Sequence, residues 1–133
     1  MSFKIDVSQI VGDYAEMYVS HYLIKRGWNV FRNQTSDGVD LIAKKDILIT
    51  IQVKASTLMN INPKYKGYCF QIRQKRSKKM YDVDFFAFCC IDDETLNIEK
   101  VYFIPHGQVK KLKSKVLNIK VGKTKWDRYI SFD

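Results

Sequence analysis

The sequence predicts an α/β fold, with a mixed central β-sheet flanked by helices and a long N-terminal helix. Three observations predict it. Residues 8–25 space their apolar side chains three and four apart, the period of a helix with one buried face. Ile49, Ile51 and Val53 alternate with Thr50, Gln52 and Lys54, the period of two that gives a strand an apolar and a polar face. Residues 85–91 form an unbroken apolar run of strand length, as a buried strand does.

Taken in order, the helix over 8–25 has Asp6 or Ser8 as N-cap candidate and Gly27 as its stop. Val11, Tyr14, Ala15, Tyr18, Tyr22 and Leu23 form its apolar stripe, and Glu16 sits just off it. A strand over 28–32, a polar loop over 33–38 and a short strand around 39–43 follow. A tight turn at 44–46 then makes a hairpin into a strand over 47–54, from which Gln52 and Lys54 project the same way. Residues 57–66 read as a loop containing Pro63, 68–72 as a strand and 77–81 as a short helical turn. After the strand at 85–91 comes an acidic loop, Asp92-Asp93-Glu94, and a strand over 100–104 that Pro105 ends. In the tail, 107–113 reads as a helical turn, 116–121 as a strand and 126–130 as a terminal turn. His106, between Pro105 and Gly107, reads as loop, and Trp126 and Tyr129 as anchors packing the tail on the body.

A chain of 133 residues, 46 % hydrophobic and 14 % aromatic, fits one packed domain over 1–133. Its core is expected at about 8–105, with a basic C-terminal extension at about 106–133. The three cysteines are Cys69 and the adjacent pair Cys89 and Cys90 inside the apolar run, which excludes a disulfide framework and reads as buried, reduced thiols. No signal-peptide stretch opens the chain, and no apolar run approaches the roughly 18 residues of a membrane span. The expectation is a soluble, cytoplasmic protein with no membrane partner.

The net charge of +9 is unevenly laid out. Residues 64–79 and 105–133 together hold fifteen bases against two acids, and the remaining residues eight bases against twelve acids. Two basic segments beside a mildly acidic body form an electrostatic footprint for a polyanion, because each phosphate contacted releases condensed counterions.

Phosphodiester hydrolysis needs the charge on phosphate oxygens neutralised, a hydroxide at neutral pH and help for the leaving oxygen, and hard oxygen ligands holding Mg²⁺ or Mn²⁺ serve all three. Asp40 is the anchor candidate, because the hairpin sets it beside the polar face from which Gln52 and Lys54 emerge. Lys54 offers a positive charge beside the attacking water or the scissile phosphate. Gln52 is a neutral ligand where an acid is expected, and Glu16 restores the lost charge if the N-terminal helix packs with Glu16 facing the hairpin. His21 lies about 140° around the helix axis from Glu16, which takes it away from this group.

Asp40 followed after eleven residues by Gln52-Val53-Lys54 resembles the PD-(D/E)XK nuclease superfamily, in its variant with Gln in the acidic slot. Gly12-Asp13-Tyr14-Ala15-Glu16, Gly38-Val39-Asp40-Leu41-Ile42-Ala43 and Val83-Asp84-Phe85-Phe86-Ala87-Phe88 extend the likeness over about 8–105. It is closest to the homing-endonuclease-like group, beside archaeal-type Holliday junction resolvases. Val39 stands where the proline of the family's name would be.

The resemblance implies a restriction-endonuclease-like fold and Mg²⁺-dependent cleavage of DNA leaving 5′-phosphate and 3′-hydroxyl ends. It also implies assembly as homodimers or larger homo-oligomers. Carried over, Glu16, Asp40, Gln52 and the Val53 backbone carbonyl match the metal site, and Lys54 the catalytic lysine. Candidate DNA contacts are Arg32, Ser36, Ser56, Arg73, Lys75, Arg76, Lys78 and Lys79. The alternatives are a non-catalytic DNA-binding module on the same fold, to which Gln52 points, and a subunit whose basic face meets an acidic protein.

Overall fold

A computed structural model describes residues 7–33, 38–74 and 76–133. In chain order its elements are α1 (Val7–Lys25), β1 (Asn29–Arg32), β2 (Leu41–Lys44), β3 (Leu48–Thr57), β4 (Met59–Asn62), β5 (Tyr65–Gln71), β6 (Phe85–Ile91), β7 (Ile98–Pro105), α2 (His106–Lys110), β8 (Val116–Lys120) and a 3-10 turn (Asp127–Tyr129). Five strands form a sheet in the order β1-β2-β3-β6-β7, and a smaller sheet has the order β4-β5-β8. The large sheet is mixed, since β3 runs parallel to β6 while its other pairs are antiparallel.

Alternation along β6 explains the two cores. Ala87 and Cys89 face α1, where Val11, Ala15, Val19 and Leu23 are buried at four-residue spacing and the last three pack with Ile49, Ile51 and Val53 of β3. Phe86, Phe88 and Cys90 face the other way, onto Phe70, Leu117 and Ile119 of the second sheet. The C-terminal residues enter both layers. Val109 and Trp126 are buried in the second, and the Phe132 ring stacks on Trp28 and Phe103 in the first.

Several local expectations are corrected. Residues 57–66 are strand for much of their length, and the turn inside them is built by Pro63 with Asn62, whose Oδ1 accepts the amides of Lys64 and Tyr65 at 2.7 and 3.2 Å. The helical turn expected at 77–81 is instead a tight loop: Gln74 N–H donates to Lys79 O, and Arg73 bridges to Met80. His106 begins α2 and lies over Phe86 rather than in a loop. Tyr14 and Tyr18, expected on the buried stripe, are 39 % and 38 % exposed, because the four-residue spacing carried by Val19 turns the helix away from them. The N-cap candidate Asp6 lies outside the described residues. Among the described residues no helix is long and apolar enough to cross a membrane.

Candidate active site

The site is built where β2 parts from β3. Asp40 N–H still bonds Ile51 O at 2.9 Å, but one step further along β3 the Val53 amide donates to the Asp40 side chain, Oδ2, at 2.8 Å. A carboxylate thus takes the rung that the strand would have supplied. Asn33 holds the departing chain in place: its Nδ2 donates to Val39 O at 2.8 Å and its amide to Asp40 O at 2.9 Å. In a strand the N–H and C=O of one residue leave by the same edge, so the Val53 carbonyl also points to the Asp40 side.

Burial pushes the Asp40 carboxyl up to about 6. The Val53 amide pulls it down, the charge of Glu16 pushes it up, Lys54 pulls it down, and a hydrogen bond with the Glu16 carboxyl raises it again. Helix α1 therefore does pack with Glu16 facing the hairpin, which the neutral Gln52 had made the decisive question. Arg32 Nη2 bonds Glu16 Oε2 at 2.9 Å from the next strand, so the arginine steadies this carboxylate.

Gln52 departs from its expected setting. The face of β3 that carries it is polar in sequence yet covered in the fold, and Gln52 is only 7 % exposed. Among the described residues its Oε1 is buried without a hydrogen-bond partner. A buried acceptor left unpaired costs free energy, on the order of 1–3 kcal/mol. A ligand that draws on it would remove that cost.

Lys54, half-buried, donates from Nζ to Tyr81 Oη at 3.2 Å and sits 4.4 Å from the centre of that ring. Tyr81 can come this close because Gly38, two residues before Asp40, has no side chain: a Cβ there would lie 2.5 Å from Tyr81 Cδ1, and its φ of +90° is a conformation glycine adopts without strain. Sequence reasoning missed both Tyr81 and Asn33. Their roles come from contacts across 27 residues and from a strand ending, and neither leaves a local pattern. A cleft of about 400 Å³ opens along the edge of β3 beside Lys54, bounded by Gly12 of α1, Thr57 and Met59.

The remaining expected contacts are unevenly placed. Arg76, Lys78 and Lys79 are exposed on the loop that leads to Tyr81. Arg73 Nε and Nη2 donate to the carbonyls of Ser114 and Leu112 at 3.2 and 3.0 Å, and Nη1 reaches Lys78 O at 3.5 Å, so this guanidinium clasps the tail to the loop. Ser56 is 6 % exposed, its Oγ accepting the Cys69 amide and donating to Thr57 O. Ser36 and Lys75 lie outside the described residues.

Could this group hold a divalent metal ion? Among the described residues no three His, Cys, Asp or Glu side chains gather, so the donors would be the carboxylates of Glu16 and Asp40, the Gln52 amide oxygen and the Val53 carbonyl. These are hard oxygens carrying two negative charges, which suits Mg²⁺ or Mn²⁺, and the buried Gln52 Oε1, without a partner among the described residues, fits such a role.

A mixed sheet with a carboxylate, a buried amide and a lysine where two strands part, under a helix that adds a second carboxylate, defines a restriction-endonuclease-like nuclease fold. The chain belongs to the PD-(D/E)XK endonuclease family, whose profile matches residues 7–132. Among solved structures it is similar to a bacterial homing endonuclease, I-Ssp6803I, with a TM-score of 0.67 at 20 % identity, covering 91 % of this chain and 80 % of that one. No curated protein matches the chain.

Proposed function

We propose that the chain hydrolyses DNA phosphodiester bonds with Mg²⁺ or Mn²⁺, in duplex or branched DNA, leaving 5′-phosphate and 3′-hydroxyl ends. The observation that carries this reading is the buried Gln52 Oε1, without a partner among the described residues, on the same strand as Lys54, at the point where the Asp40 carboxylate replaces a backbone rung. Glu16, Asp40, Gln52 and the Val53 carbonyl would hold the ion, which when bound polarises the phosphate and supplies a hydroxide at neutral pH. Asp40 serves only when ionised, and nearby Lys54 favours that form. Lys54 is aimed by Tyr81 and places its ammonium beside the reacting phosphate. Arg76, Lys78 and Lys79 meet the backbone on either side, and Arg32 acts mainly through Glu16. The whole chain works as one nuclease domain, and cutting both strands calls for a homodimer or larger homo-oligomer.

The test is a substrate panel of linear duplex, four-way junction, single strand and flap, incubated with and without metal. Cleavage of duplex or junction that needs Mg²⁺ or Mn²⁺ is the expected result. No cleavage of any substrate at any metal concentration would overturn the reading. Two observations favour a second reading, a DNA-binding module without catalysis: Glu16 already has a partner in Arg32, and Gln52 adds no charge. Calorimetric titration of Mg²⁺ into the DNA complex separates the two, since the binder shows no ion site in the wild type and none in Gln52→Glu.

A further inference from the structure

Helix α1 is apolar on two opposite faces. At 100° per residue, Ile10, Tyr14, Met17, His21 and Ile24 fall within about 80° of arc, on the side opposite the buried stripe of Val11, Ala15, Val19 and Leu23, the last three of which pack on the sheet. The outer residues are not incidental surface. Ile10, Met17 and Ile24 are 54 %, 61 % and 55 % exposed, Tyr14 is 39 % exposed and His21 is exposed as well. Their spacing of four, three, four and three is the heptad seam of paired helices. Asp13 and Lys25 flank the stripe without entering it.

We infer that this face binds the same face of a second copy, with the two α1 helices antiparallel about a two-fold axis at Met17. The inference deepens the dimeric part of the reading above and is independent of the cleavage chemistry. The order of the stripe is what selects a second copy. Read from either end it runs aliphatic, aromatic, Met, aromatic ring, aliphatic, so an antiparallel pair sets Ile10 against Ile24 and Met17 against itself, with Tyr14 within one residue of His21. That is the self-complementarity an isologous interface requires. Antiparallel helices also oppose their macrodipoles, whereas parallel ones align them. A stripe of this size exposes on the order of 400 Å² of apolar surface, so pairing two removes roughly 800 Å², at the low end of specific interfaces. Glu16 leaves α1 about 100° around from Met17, so the pairing keeps both candidate active sites open.

The experiment is sedimentation equilibrium of the full chain over a range of concentrations. The wild type should form a dimer, and Met17→Lys should weaken it at least about tenfold, as charging an interface centre does. Ile10→Glu and Ile24→Lys should each weaken it, and the double variant should regain association, because only the antiparallel pair sets the new acid against the new base. All three sites are more than half exposed, so the folds should be retained, which thermal melts would verify. A monomeric wild type overturns both this inference and the dimeric reading. A dimer that Met17→Lys leaves untouched, or a double variant no tighter than the single ones, overturns the proposed surface alone.

Discussion

Asp84 and Asp40 make the same bond to the same strand: each lays Oδ2 2.8 Å from a backbone amide of β3, that of Thr50 or of Val53. Around Asp84 the bonding closes on itself. Thr50 Oγ1 donates to the same carboxylate oxygen at 3.2 Å, and the Asp84 amide returns a bond to Thr50 Oγ1 at 3.0 Å, in an exposed position where β6 begins. Around Asp40 it stays open, with Glu16, Lys54 and the buried Gln52 grouped about a half-buried carboxyl. The hydrogen bond fixes position in both cases. Chemistry depends on what surrounds the carboxylate oxygens, and on burial that makes those surroundings count.

The sharpest way to break this comparison is cleavage. Asp40→Ala and Lys54→Ala should each lose at least about 10²–10³-fold in rate, the scale for removing an electrostatic stabiliser from a reacting centre. Asp84→Ala should stay within a few-fold of wild type. Metal-dependent nicking well below the melting temperature measures all three, and an Asp84→Ala loss equal to that of Asp40→Ala would show that β3's position alone matters. Lys54→Ala should keep its DNA affinity, because one cation is a small share of the footprint. A smaller effect belongs to Tyr81→Phe, which keeps the ring under Lys54 but removes the oxygen that accepts its proton. About a fivefold fall in kcat/KM is expected, with KM little changed.

The half of the site that could be read beforehand is the half that lies on regular elements. The alternation from Ile49 to Lys54 put Gln52 and Lys54 on one face, and the hairpin brought Asp40 to it. The three-and-four spacing of α1 set Glu16 at the edge of its buried stripe. Burial of Gln52 was not legible, because a second sheet from distant sequence covers that face of β3. Arg73 looked like a phosphate contact since charge is visible in sequence, while the carbonyls it meets, 39 and 41 residues away, are not. Strand β4 escaped notice because its burial is slight and its stability comes from pairing with β5, a non-local bond.

On the Asp84 side the measurable quantity is stability. Asp84→Ala strips the Thr50 amide and hydroxyl of their acceptor, which should cost about 1 kcal/mol, at the low end because water can reach the exposed position. Asp84→Asn keeps an acceptor oxygen and should recover most of the loss in a urea melt. Equal losses in both variants would mean that charge, not the bond, holds this end of the strand.

A pH effect on stability is expected from the Asp40 carboxyl. In the unfolded chain the Asp40 carboxyl ionises near 3.8, and in the fold near 6. Between these values the native state holds the proton that the unfolded state has released, so this group makes stability fall as pH rises from about 4 to 6 and then level off. Asp40→Asn carries no such proton. Its melting temperature should therefore gain on wild type across that window and keep a constant lead above it. Mg²⁺ at pH 7 should then close the gap by binding wild type alone, since an ion held only by the folded state stabilises it. A pH-independent difference would mean that the carboxyl feels neither its burial nor Glu16. A gap that Mg²⁺ leaves unchanged would mean that these oxygens do not hold the ion.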